Sequence, residues 1–130
     1  GRFHPQDENL PFGFLKHIKR ASIIGEDLCR SDDVTPLERD CVLSAIINHD
    51  DTKFGLDGTE EKTQFDHPTS IANIITPEIM PITPYSESIL SLIKTHMGRW
   101  GEFHPETLLE RIVHYADYIA SRTYMVGLKV

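Results

Sequence analysis

Leu37-Glu-Arg-Asp-Cys-Val-Leu-Ser-Ala-Ile-Ile-Asn-His49-Asp50 is the stretch that decides the fold: its apolar residues recur at helical spacing, and it ends on an imidazole beside a carboxylate. Leu37, Cys41, Ala45 and His49 fall on one helical line, so His49 is predicted to face the core that the helix covers. The start of this helix is explicit, because Thr35, Pro36 and Glu38 combine a capping box with proline at the first helical position. Histidine and aspartate are both metal-ligand types, and a helix end backed by a core can aim both side chains inward.

The same periodicity extends outward in both directions. A first helix is predicted from about Phe14 to Arg30, with Phe14, Ile18, Ala21, Ile24 and Leu28 inward and His17 sharing the face of Phe14, Ala21 and Ile24. Beyond Asp50, the polar, glycine-containing run from Asp51 to Gln64 reads as a loop. Asp66-His67-Pro68 opens a short third helix carrying Ile71, Ile74 and Ile75, and Pro77 to Pro84 is a rigid connector. Ser86 is read as the cap of a fourth helix with Ile89, Leu92, Ile93 and His96 on one stripe. A turn, Gly98-Arg-Trp-Gly101, then leads through His104-Pro105 to a fifth helix. There Leu108, Leu109, Ile112, Val113, Ala116, Ile119 and Ala120 form the apolar stripe, and Asp117 borders it. No alternating strand appears. The fold class is therefore all-α, a bundle of about five or more helices around a central metal site, with residues 1–130 as a single domain.

Twenty acidic against thirteen basic residues give a formal charge of −7. The chain as a whole repels long polyanions, which argues against long duplex nucleic acid, yet a metal centre with a few local cations still admits a small phosphorylated substrate. No apolar run approaches the roughly 18 residues that span a membrane, and no secretory segment opens the chain; a cytoplasmic protein with no membrane partner is expected. Cys29 and Cys41 sit among apolar neighbours and read as reduced core residues. Trp100 is read as core. Oligomeric state leaves no signal in the sequence.

A lone histidine on an apolar face is more often a hydrogen-bonded core residue than a ligand. An inward aspartate is harder to explain that way, since it is almost never buried without a counter-charge or metal. Asp117, among Val113, Ala116 and Ala120, tips the reading toward metal when taken with His49-Asp50.

In order along the chain, His17, His49-Asp50, His67, His96 and Asp117 resemble the HD-domain superfamily of metal-dependent phosphohydrolases. The fragments that carry the likeness are Phe12-Gly-Phe-Leu-Lys-His17, Ala45-Ile-Ile-Asn-His-Asp50 with Lys53 beyond, Asp66-His-Pro68, Lys94-Thr-His-Met-Gly-Arg-Trp100 and His114-Tyr-Ala-Asp-Tyr-Ile-Ala-Ser-Arg122. The resemblance implies a core of His17, His49, Asp50 and Asp117, extended by His67 and His96 to a second ion, with Asp50 bridging. It implies divalent metal, as two ions, without distinguishing Mn, Fe, Co, Ni, Zn or Mg. Two cations about 3.5–4 Å apart clamp a phosphoryl group and activate water as the nucleophile.

Lys53 stands where many relatives carry a lysine that holds substrate phosphate, and Arg99 offers a guanidinium fork for phosphate oxygens. Arg122 is a weaker candidate, since a helix C-terminus favours cations by its dipole alone. Where many relatives continue the His-Asp pair with Ile-Gly-Lys, this chain has Asp51-Thr52 before Lys53, and it lacks the additional motif of the cyclic-dinucleotide phosphodiesterases. The function expected is hydrolysis of a phosphoester in a nucleotide or short oligonucleotide. Two alternatives stand beside it: a di-iron oxygenase acting on a small phosphonate or polyol through the same ligands, and a non-catalytic module holding a structural metal.

Overall fold

The computed structural model describes residues 13–50 and 85–122. They form four α-helices and a single 3₁₀ turn: α1 (Gly13–Leu28), α2 (Pro36–Asn48), α3 (Ser86–Lys94), the 3₁₀ turn (Gly98–Trp100) and α4 (Leu108–Ala120). No strand occurs among the described residues, and the class is all-α as expected. The expected third helix, the loop before it and the connector after it lie outside the described residues.

Helix α2 packs against all three other helices, while α1 and α3 each contact α2 and α4. Small residues allow the close approach. A Cβ added to Gly25 of α1 would lie 2.4 Å from Ile46 Cδ1 and 3.6 Å from the Ala116 methyl, so at that position α1 sits almost directly on α2 and α4. Around this seam Ala21, Val42, Ala45, Ile46, Ile93, Val113, Ala116 and Ala120 are wholly buried. Each buried Val or Ile is worth about 1.5–3 kcal/mol relative to exposure. Cys29 and Cys41 are buried free thiols in the same core.

Helix starts follow side-chain chemistry. Thr35 Oγ1 accepts from the Glu38 amide at 3.1 Å and Glu38 Oε1 accepts from the Thr35 amide at 3.0 Å, the expected capping box. A second box, Thr107 with Glu110, opens α4 two residues beyond Pro105. Glu110 also accepts from Ser91 Oγ at 2.9 Å, tying the start of α4 to the middle of α3.

Several expectations are corrected. Ser86 does not cap α3: Tyr85 is the N-cap residue without a side-chain bond, and Ser86 is already helical and buried. Phe14 and Leu28 of α1, Leu37 of α2 and Leu108 of α4 are exposed. The buried residues of α1 are Gly13, His17, Arg20, Ala21 and Gly25: His17 and Ala21 face inward as expected, while Arg20 turns in and Phe14 and Leu28 turn out. Arg20 is completely buried, a position no periodicity rule gives an arginine; a buried guanidinium must be paired to be tolerated, and Arg20 is engaged.

Candidate metal centre

His17 comes from the second turn of α1, His49 and Asp50 from the end of α2, His96 from just past α3, and Asp117 from the last turns of α4. One ligand atom each from His17, His49, Asp50 and Asp117 fall within 4.8 Å of one another. His17 Nε2 is 2.8 Å and His49 Nε2 3.1 Å from Asp117 Oδ1. Asp50 divides its oxygens: Oδ2 lies 3.1 Å from His49 Nε2 and Oδ1 lies 3.8 Å from His96 Nε2. The His49 and His96 rings meet edge to face at 4.7 Å.

Helix termini leave carbonyls without partners, and two of the histidines use them. His49 Nδ1–H donates to the Ile46 carbonyl at 2.5 Å, and His96 Nδ1–H donates to the Ile93 carbonyl at 2.7 Å, each three residues back. The same local device thus fixes both rings and turns both Nε2 atoms inward. With Nδ1 as donor, a neutral His49 presents a lone pair at Nε2 toward the oxygens of Asp50 and Asp117. Acceptor facing acceptor is repulsive unless a proton or a cation lies between them, so the donor set fits a divalent ion.

In the absence of a cation, a proton takes that place. Burial disfavours the imidazolium of His49, but Asp50 and then Asp117 outweigh it and hold its pKa well above the ordinary 6.5. Burial likewise disfavours the Asp117 carboxylate, and His49 and His17 more than reverse this, holding it well below the ordinary 3.8. Asp117 keeps 20% of its side-chain surface accessible while His49 keeps 1%, so the cluster opens on the Asp117 side.

His67 and Lys53 lie outside the described residues. Arg99 is not part of the cluster; it stands exposed on the 3₁₀ turn with its guanidinium 4.7 Å from the Trp100 ring centre. Trp100 is a correction, since it is 47% exposed and stacked on Tyr118 at 5.8 Å with 9° between the planes. The same turn places Gly98 against the His114 ring. His114 itself is the residue the ligand pattern passed over: Nδ1–H donates to the His96 carbonyl at 2.8 Å. Gly98, at φ +61°, lies so close to that ring that any Cβ would come within 2.3 Å of it. The available signal was the position of His114, three residues before Asp117 on the same helix.

A family model, HD domain, matches residues 14–122. The chain belongs to the HD domain family. Most members of this superfamily are metal-dependent phosphohydrolases, and membership implies binding of a divalent metal; the His-Asp cluster of this HD domain fits such a site. Comparison with curated proteins and with solved structures finds no match. No helix among the described residues is long and apolar enough to cross a membrane.

Proposed function

We propose that this HD domain is a metal-dependent phosphohydrolase that cleaves a phosphoester of a nucleotide or short oligonucleotide with a metal-activated water. The observation that carries the reading is Asp50, whose two oxygens face different imidazoles, one inside the four-residue cluster and one toward His96. That division suits a bridging carboxylate, with His17, His49 and Asp117 holding one ion and His96 with His67 a second. Bound divalent ions supply charge to a phosphoryl group and acidify water.

The chain's own groups do the positioning. His49 and His96 are clamped at Nδ1 and cannot turn their Nε2 atoms away; Asp117, on the accessible side, borders the path by which a substrate enters. Val113, Ala116 and Ala45, wholly buried behind the cluster, keep its inner side dry, which strengthens every charge interaction within it. Lys53 is assigned to the substrate phosphate.

Metal analysis of the purified protein, followed by phosphate-release assays over nucleoside mono-, di- and triphosphates and short oligonucleotides, tests the reading. Asp50→Ala should lose metal and turnover together while its far-ultraviolet dichroism stays helical. Hydrolysis retained in that variant ends the bridged two-ion model, and bound iron with an oxygen requirement transfers the assignment to a di-iron oxygenase.

A further inference from the structure

On the far side of the His96 turn lies a second concavity, of about 500 Å³, between the 3₁₀ turn and the outward face of α4. Arg99 and Trp100 line it from the turn; Arg111, Tyr115 and Tyr118 line it from the helix, with His114 at its floor. Arg111, His114, Tyr115 and Tyr118 recur at helical spacing, so α4 carries one apolar stripe toward the core and a separate cationic and aromatic stripe toward this groove, and Arg122, just past the helix, lies over Tyr118 at the groove's end.

The contacts within the groove run in series. The Arg99 guanidinium lies over Trp100 at 4.7 Å, Trp100 is parallel to Tyr118 at 5.8 Å, and the Arg122 guanidinium lies over Tyr118 at 4.0 Å. A guanidinium laid on a ring keeps its N–H donors at its edge, not consumed by the stack; Arg122 gives its Nε–H to the Tyr118 carbonyl at 3.3 Å and retains its terminal N–H groups. Arg111 gives one N–H to the Glu106 carbonyl at 2.7 Å, which steadies it without neutralising it. Among the described residues none of Arg99, Arg111 and Arg122 forms an ion pair, and no carboxylate lines the groove. In a chain of net charge −7, three uncompensated arginines around exposed aromatic rings (Trp100 47%, Tyr115 50%) mark a local site for an anion that also carries flat rings.

The extent of the stripe selects among such ligands. From Arg111 to Tyr118, over which Arg122 lies, the helix advances about 10 Å at 1.5 Å per residue, whereas phosphates along one stacked strand repeat about every 3.4 Å. A single phosphate meets one of these arginines; a strand can meet all of them while its bases lie against the aromatics, the combination that single-strand binding uses.

We propose that this groove binds the part of a single-stranded oligonucleotide that flanks the bond being cleaved, which makes the substrate an oligonucleotide rather than a mononucleotide. The assignment of a cleaved bond rests on the phosphohydrolase reading; the binding itself does not. His114 joins the two sites, since it floors the groove and holds the carbonyl of His96.

Trp100 is the only tryptophan in the chain and reports directly on occupancy. With chelator present, so that no turnover intervenes, the protein is titrated with an oligothymidylate of about eight nucleotides, with thymidine monophosphate and with inorganic phosphate, following tryptophan emission. The oligonucleotide should change the emission saturably and bind at least tenfold more tightly than the monophosphate. Its affinity should fall about 20-fold between 50 and 200 mM salt, as three phosphate contacts on a single strand require. Arg111→Ala and Arg122→Ala, at solvent-facing positions, should each weaken binding severalfold, and Trp100→Phe should still bind labelled oligonucleotide by anisotropy. No saturable change, equal affinity for the monophosphate, or indifference to both arginine substitutions overturns the proposal. Metal-dependent hydrolysis without groove binding removes this inference alone; groove binding without any metal-dependent hydrolysis removes the phosphohydrolase reading and leaves the groove.

Discussion

His114 Nδ1 donates to the carbonyl oxygen of His96 at 2.8 Å, so an imidazole outside the ligand cluster holds the backbone of one that faces Asp50. The ring also fills the space in front of Gly98, whose left-handed backbone at φ +61° completes the turn. Gly98→Ala therefore meets two penalties, a disfavoured conformation of about 1–2 kcal/mol and a steric clash with a ring that cannot withdraw without breaking its bond. We expect a loss of at least 2 kcal/mol in urea unfolding; a loss under 0.5 kcal/mol would show that the turn is not held this way. His114→Ala should lower bound metal more than it lowers helicity, as read by metal analysis and circular dichroism on the same sample.

A proton and a divalent ion held by this cluster would compete for one place between His49 and the two aspartates. Because the native pKa of His49 lies well above its ordinary 6.5, the metal-free protein is stabilised by that proton below the ordinary value, and loses this contribution as pH rises through the raised one. Affinity for a divalent ion should accordingly increase with pH, and binding near neutrality should release protons. Calorimetric titration in buffers of differing ionisation enthalpy measures the release; zero release at pH 7 contradicts the shared-site account.

Glu110 is a quieter titration. Burial raises its pKa, but the amides of Thr107 and Glu106 and the hydroxyls of Ser91 and Thr107 outweigh burial and bring it below the ordinary 4.5. The stabilising contribution is present above the ordinary value and is lost as pH falls through the depressed one. Glu110→Ala should cost about 1 kcal/mol at pH 7, the usual worth of a cap, and the difference from wild type should shrink in acid. Denaturant melts at pH 7 and at the acid end of the native range provide the comparison.

The two thiols should be inert while the fold is intact. Burial pushes the Cys29 thiol up despite the nearby Arg39, and burial with Asp40 close by does the same for Cys41. A disulfide reagent should react with neither on the minute scale in buffer and with both at once in denaturant. Fast labelling of either in the native protein contradicts their place in the core.

Polar residues interrupting an apolar stripe were easy to read. His17, His49 and Asp117 stand out because burying them without a reason is costly, and the structure brings them together with Asp50. Capping chemistry is similarly local, and Thr35 with Glu38 was legible from four residues. What periodicity does not encode is which of two neighbouring faces wins. In α1 the inward face is set by the close approach at Gly25 and by the cluster at His17, so Phe14 and Leu28 turn outward and Arg20 turns in. Trp100 was misplaced for a related reason. Composition favours a buried tryptophan, but the turn is held by the His114 ring against Gly98, 16 positions away, and Trp100 stacks on Tyr118 at the surface, contacts that no local pattern announces.

His17 and Asp117 touch across 100 positions of chain. An ion gripped by both acts as a reversible cross-link, and a tie closing a loop of that length removes on the order of 4–5 kcal/mol of chain entropy from the unfolded state in the polymer picture. Chelation would then open a ring of that size, and the resistance of this protein to heat would become a direct readout of how much free cation surrounds it.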